Sequence, residues 1–325
     1  MKLAIFSEAG FNYGFGHFYR MSGICEHAIR KGGDAVLYLM ADDAAKANLT
    51  RDYVRFVNWK DPDVYKKLLD SETTLVVDSY HVNVEELEQF QKCARDMVVI
   101  DDNIRLDYHD MKILNPNYFA VCLNYPQDKN NELFLGKDYT LLRDDFSSPG
   151  KREIRDKVSD ILITMGGTDP MGRTVSIIRM LKRVSEEARL HVVCTKAYHD
   201  LDVIRAALSD NDRMYLNIGA SDMCALMKEC DFAVASAGQT TNELIKMLCP
   251  AVLVVVADNQ LLNTAYLSDN GYIEAMYEDN RDVLARMFSY EKRKNLLDKL
   301  NTFYSERSGK DFIYELAFGG GDNER

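Results

Sequence analysis

Leu3-Ala4-Ile5-Phe6, then Gly14-Phe15-Gly16-His17-Phe18-Tyr19-Arg20, then Met21, Ile24, Cys25, Ala28 and Ile29 at helical spacing: this opening reads as strand, glycine-rich turn and helix. Glycine in such a turn permits positive φ and close approach of a ligand to the backbone. The first N–H groups of the following helix have no intrahelical partner, and the helix dipole favours negative charge there. His17 stands at that mouth with Arg20 one turn on, where an imidazole reaches a bound phosphate or sugar and titrates near neutral pH. The same residues also fit a plain tight turn with a chemically idle histidine. Both readings are open at this point.

The alternation continues. Strand runs at 35–40, 54–57, 74–78 and 97–100 are separated by helix patterns at 42–48, 63–69 and 84–95. The last of these helices carries Glu85, Glu86 and Glu88 early and Lys92 and Arg95 late, complementing its dipole. Continuous apolar strands between helices predict a parallel sheet covered on both faces. Ligands of such sheets bind beyond the carboxyl ends of the strands. Four segments converge there: Glu8–His17, Asp78-Ser79-Tyr80-His81, Asp101-Asp102-Asn103 and Asn115-Pro116-Asn117, the last after Lys112-Ile113-Leu114. Asp78, Asp101 and Asn115 are the expected polar lining, although each could equally cap a helix or make a turn. His27, His109, His191 and His199 carry no supporting pattern and are expected to be surface or structural.

From Pro126 the pattern loosens, and Ser147-Ser148-Pro149-Gly150 marks a linker. The expected division is a first domain at 1–143, a linker at 144–157, a second domain at 158–318 and a frayed tail at 319–325. Asp160–Met165 begins a second alternation, with strands at 190–194, 214–216, 232–235 and 251–257 and helices at 174–184 and 220–229. Met165-Gly166-Gly167-Thr168-Asp169 mirrors the opening: two glycines close backbone N–H groups on a diphosphate and Thr168 adds a hydroxyl. Ser236-Ala237-Gly238-Gln239-Thr240-Thr241-Asn242-Glu243 is another strand–loop–helix mouth, where Glu243 could accept ribose hydroxyls or simply cap the helix. Asp258-Asn259-Gln260 sets two amides, suited to sugar hydroxyls and acetamido groups, past the last strand. The fold class is α/β, two Rossmann-like doubly wound domains facing a cleft.

At 325 residues, 46% hydrophobic and 28% charged, the chain suffices for two cores. A net charge of −11 without a basic block argues against sequence-independent nucleic-acid binding. Seven scattered cysteines, none in a Cys-x-x-Cys pair, read as buried thiols in a reducing compartment. No signal-peptide pattern or membrane-length apolar run is present, so a soluble, cytoplasmic protein is expected, a monomer or weak oligomer.

Gly14-x-Gly16-His17-x-x-Arg20, Met165-Gly166-Gly167-Thr168-Asp169, Ser236-x-Gly238-x-Thr240-x-x-Glu243 and Asp258-Asn259-Gln260 stand in the order and spacing of a known family. Together they resemble the nucleotide-sugar hydrolases of pseudaminic acid biosynthesis. Those enzymes are related to spore-coat polysaccharide proteins and to MurG-type glycosyltransferases of GT-B fold. The resemblance, over roughly residues 1–275, implies hydrolysis of UDP-2,4-diacetamido-2,4,6-trideoxy-β-L-altropyranose to UDP and free sugar. It implies His17 as the base that activates water, Tyr80 beside the sugar, and second-domain loops holding UDP. Three positions depart from the pattern. Ser7-Glu8-Ala9 stands for an Asp-Ala-Ser-like stretch, Ser79 for an aromatic or histidine, and His81 for a glycine.

The bare chemistry agrees. Breaking a sugar–phosphate bond needs a deprotonated acceptor and stabilisation of charge on the departing diphosphate. His17 suits the first, and Gly166, Gly167 and Thr168 the second. Catalysis is expected to need no metal and no cofactor. Two alternatives remain: a GT-B glycosyltransferase of surface polysaccharide synthesis, and a non-catalytic nucleotide-sugar binding module.

Overall fold

Every residue of Lys2–Ala9 after the first is buried, as a strand covered on both faces requires. This strand, β1, is central in the first of two units of the computed structural model, which describes residues 1–10, 16–146 and 148–319. The first unit comprises Met1–Asp144 and the described residues from Ser305 on. It alternates β1, α1 (Gly16–Arg30), β2 (Ala35–Ala41), α2 (Asp43–Asn48), β3 (Val54–Phe56), α3 (Pro62–Leu68), β4 (Thr73–Asp78), α4 (Val84–Cys93) and β5 (Asp96–Ile100), then β6 (Lys112–Asn115) and β7 (Glu132–Leu135). All seven strands are parallel, in the order β3-β2-β1-β4-β5-β6-β7.

The order reverses between β1 and β4, where Ser7 pairs with Asp78. Phe18, Met21 and Ile24 of α1 join Leu3 and Ile5 on one face of the sheet. Leu87 and Phe90 of α4 join Ala4 and Phe6 on the other. The connections leaving β1 and β4 therefore diverge and open a crevice at the strand ends, the place where such sheets bind ligands. Trp59, the sole tryptophan, is fully buried beneath it, stacked on Phe6 at 5.4 Å and donating to Ser7 O at 2.8 Å.

The second unit, Asp145–Tyr304, repeats the plan with β8 (Asp160–Thr164), α5 (Arg173–Val184), β9 (Arg189–Cys194), α6 (Leu201–Ala207), β10 (Arg213–Leu216), α7 (Ala220–Glu229), β11 (Phe232–Ser236), α8 (Thr240–Lys246), β12 (Ala251–Val254), α9 (Leu261–Asp269), β13 (Glu274–Met276), α10 (Arg281–Arg286) and α11 (Tyr290–Phe303). Its parallel order is β10-β9-β8-β11-β12-β13. Ile177, Ile178 and Leu181 of α5 pack with Ile161, Ile163 and Val234.

Three expectations need correction. The last helix, α12 (Gly309–Phe318), belongs with the first unit, although the division read from the sequence carries the second domain to 318. Its Ile313 and Ala317 are fully buried with Leu3, Ile5 and Leu37, and Arg95 donates to the terminal carbonyls of Leu316 and Ala317 at 2.9 and 2.7 Å. Beyond Gly319 the tail lies outside the described residues. β7 forms within the stretch whose pattern loosens, because four residues pairing with β6 are too few to show periodicity. β12 ends at Val254 rather than 257, where Val256 N turns to Gln260 Oε1 at 2.9 Å. Five of the seven cysteines are buried, Cys93 is half-buried and Cys122 exposed. Burial pushes the Cys25 thiol up to about 12.

Candidate active site

α1 begins at Gly16, so His17 and Arg20 lie one turn apart on its first face and reach across to the end of β4. His17 is 7% exposed, and its Nδ1 stands 2.8 Å from Asp78 Oδ1. A carboxylate there takes the Nδ1–H and leaves Nε2 as the basic pole. Arg20 donates through Nε and Nη2 to the two oxygens of Asp78, both at 2.6 Å, and through Nη1 and Nη2 to Asp102, both at 3.0 Å. Tyr80 donates to Asp102 at 2.5 Å, and its ring meets that of His17 edge-on with centroids 4.6 Å apart. Asn117 donates to Asp102 at 3.0 Å.

The charges explain why this cluster holds. Burial by itself would raise the Asp78 and Asp102 carboxyls, but the Arg20 guanidinium shared between them outweighs it and holds both below the usual carboxylate range. Burial, reinforced by Asp102, pushes the Tyr80 phenol up, so it is a hydrogen-bonding group and not a base near neutral pH.

A second carboxylate borders the same crevice. Glu8, at the end of β1 and 1% exposed, accepts from Ser79 Oγ at 2.8 Å, Tyr80 N at 3.1 Å and His81 Nδ1 at 2.7 Å.

Some expected lining residues are framework instead. Asp101 is 2% exposed and accepts from Ile104 N, Arg105 N, Tyr108 Oη and Tyr125 Oη, closing the turn after β5. Asn115, fully buried, donates to Tyr125 Oη and accepts from Asn117 N. Their neighbours Asp102 and Asn117 face the cluster. In each pair a polar residue follows a strand, and composition does not say which one turns inward. Gly14 lies outside the described residues. In the chain's three Asp-x-Asp triplets, Asp61 caps Asp63 N at the start of α3, Asp202 accepts from Arg205 Nη1 at 3.0 Å, and Asp212 is engaged by Ser209, Leu190 N and Lys182. Among the described residues, no group of three or more His, Cys, Asp or Glu could hold a metal ion.

In the second unit the motif loops follow three adjacent strands, β8, β11 and β12. Gly166 takes φ +75°, and a Cβ there would lie 3.1 Å from Ser236 Oγ; one at Gly238 would lie 3.8 Å from Gln260 Nε2. Gly167, Thr168 and Asn259 are exposed, and Gly238 and Thr240 half-buried. Asp169 is committed: its carboxylate accepts from Arg173 N and Thr174 N, both at 2.9 Å, capping α5. Glu243 is buried in the first turn of α8. His191 is held by Asp160 and Tyr215, and His27 lies between Asp144 and Asp311, both structural as expected.

No family model matches the chain. Over 268 residues it is 24% identical to the Helicobacter pylori pseudaminic acid cytidylyltransferase and UDP-2,4-diacetamido-2,4,6-trideoxy-β-L-altropyranose hydrolase, covering 81% of this chain and 46% of that one. It is 25% identical to the Campylobacter jejuni hydrolase of the same name over 61% of this chain and 72% of that one. To the Bacillus subtilis spore coat polysaccharide biosynthesis protein SpsG it is 19% identical, over 83% and 82% of the two chains. The chain spans about half the length of the first curated relatives it matches. Among solved structures, Acinetobacter baumannii MurG aligns over 98% of this chain and 99% of its own with a TM-score of 0.67 and 14% identity. The chain is therefore an α/β protein of GT-B fold, related in sequence to UDP-sugar hydrolases and to a spore-coat polysaccharide protein, as its motifs imply. No helix among the described residues is long and apolar enough to cross a membrane.

Proposed function

We propose that the chain hydrolyses a UDP-activated amino sugar, of the 2,4-diacetamido-2,4,6-trideoxy class, to UDP and free sugar, without a metal. The observation that carries this reading is the Asp78–His17 pair at the switch-point crevice, with Tyr80 against the imidazole. In the proposed step His17 Nε2 takes a proton from water as the water oxygen bonds to the anomeric carbon. The bond from that carbon to the phosphate oxygen breaks, and its electron pair leaves with UDP. Asp78 fixes the tautomer and balances the charge on the imidazolium. Backbone N–H groups at Gly166 and Gly167, with Thr168, Ser236 and Thr240, are assigned to the diphosphate, and Glu243 to the ribose.

The test is UDP release from a panel of UDP-sugars, with chelator and without added acceptor. Steady release that falls about 10²–10⁴-fold in His17→Ala, with UDP affinity kept, is expected. Release only after a sugar acceptor is added would make the protein a transferase. Binding of UDP-sugars without release under either condition would make it a binding module.

A further inference from the structure

Two residues past the end of β6, Asn117 holds the N-cap position of a 3-10 turn, Tyr118–Cys122, yet its side chain makes no capping bond. An asparagine so placed ordinarily turns Oδ1 onto the N–H groups that follow. Here the nitrogen is what is held: Nδ2 donates to Asp102 Oδ1 and to Asn115 Oδ1, both at 3.0 Å. The neighbours fix which way round this amide lies. Asp102 is a carboxylate, kept ionised against the effect of burial by the Arg20 guanidinium, and it only accepts. Asn115 presents its oxygen, because the same Oδ1 accepts the backbone N–H of Asn117 at 3.1 Å while its Nδ2 is spent on Tyr125 Oη at 3.1 Å. A flipped Asn117 amide would set oxygen against oxygen twice.

Oδ1 is left on the outer corner of a half-buried side chain, open to solvent and without a partner among the described residues. The carboxylate beside it has no capacity left for a ligand. Asp102 Oδ1 accepts from Arg20 and Asn117, and Oδ2 from Arg20 and Tyr80, so each oxygen already takes two bonds. The acceptor offered next to this saturated group is the Asn117 carbonyl. Tyr80 Oη and Asn117 Nδ2 sit on the two oxygens of the one carboxylate, and the Tyr80 ring meets that of His17 at 4.6 Å. A sugar lying against the imidazole and the phenol ring therefore lies beside this amide.

We propose that Asn117 is a specificity residue whose Oδ1 accepts the N–H of an acetamido group on the sugar. An oxygen held in this way has no hydrogen to give, so it selects a donor, and a secondary amide carries its N–H in one fixed direction. This rests on the nucleotide-sugar reading above, though not on water being the acceptor. The test titrates UDP, UDP-glucose, UDP-N-acetylglucosamine and the UDP-2,4-diacetamido sugar into the wild-type chain, Asn117→Ala and Asn117→Ser, with KM and kcat measured wherever there is turnover. The wild type is expected to favour an acetamido sugar over UDP-glucose. Asn117→Ala should cut that preference about tenfold, the scale of one hydrogen bond, with UDP affinity kept within a few-fold. Asn117→Ser is too short to reach the sugar but suits an N-cap, and should lose the preference equally. It carries the test if alanine unsettles the first unit, which Trp59 emission in urea reports.

An equal loss for every UDP-sugar, or a fall in kcat with the preference intact, would mean that the amide serves only to hold Asp102, and would overturn the proposal. So would a wild type that binds UDP-glucose as well as either acetamido sugar. Turnover in the wild type with the preference unchanged in both variants would sink this inference and leave the hydrolase reading. Loss of the preference without UDP release in the wild type would do the reverse. A wild type that binds no UDP-sugar would sink both.

Discussion

Arg20 grips both oxygens of Asp78 at 2.6 Å, with the carboxylate fully buried behind it. Removing the guanidinium while leaving Asp78 and Asp102 in place strands two carboxylates from their shared cation. Arg20→Met is expected to destabilise the first unit by about 3–5 kcal/mol at neutral pH. The pH dependence should also change sign. In the wild type both carboxyls are depressed, so their contribution is present above the unfolded carboxylate range and is lost as pH falls through the folded values. Without Arg20, burial dominates and raises them, and the variant should gain stability as pH is lowered from 7 toward 5. Trp59 emission during urea unfolding reports on this unit, since the only tryptophan lies within it.

Asp78→Asn tests orientation rather than charge alone. An amide in this place can turn an N–H toward Nδ1 and so favour the tautomer with the proton on Nε2, removing the basic pole. UDP release should fall about 10²–10⁴-fold with little change in UDP affinity. A loss of only a few-fold would mean that His17 works without the carboxylate.

Gly166 and Gly167 adjoin in sequence but should respond differently. At φ +75° and with Ser236 Oγ 3.1 Å from the position of a Cβ, Gly166→Ala is strained by about 1–2 kcal/mol and should weaken UDP binding about tenfold or more. A Cβ at Gly167 meets nothing within 4 Å, so Gly167→Ala should leave the stability of the second unit unchanged. Calorimetric titration with UDP and thermal unfolding of both variants separate the two effects.

Ile313→Ala probes the return of the chain to the first unit. Its side chain is fully buried, and truncation should cost that unit about 2–5 kcal/mol. The Trp59 transition should move to lower urea while UDP binding is unaffected. Coupled loss of both signals would show that α12 supports more than the first unit.

Much of this was readable from residue order. Apolar runs such as Leu3–Phe6 and Phe232–Ala235, buried on both faces, announce parallel strands, and glycines before His17 and Thr168 mark where loops meet helices. The faces of short polar segments were not readable. Asp101 and Asp102 differ only in which way a turn points, and Asp101 is held inward by the turn's own N–H groups together with Tyr108 and Tyr125, 7 and 24 residues further on. The partnership of Glu8 with His81 likewise spans 73 positions and arises only from the register of β1 with β4. The allegiance of α12 escaped because an amphipathic helix shows its apolar stripe without showing the sheet that receives it.

That helix also sets an order of events during synthesis. The face of Leu3, Ile5 and Leu37 is completed by residues that follow all of Asp145–Tyr304. At about 5–20 residues per second, a ribosome spends roughly 10–30 s on that interval. Throughout it, the earlier half of the polypeptide waits with an uncovered apolar surface, and at its end the later half has every residue it needs. The segment translated first is therefore the one completed last, and nascent-chain chaperones should engage it until residue 318 has left the exit tunnel.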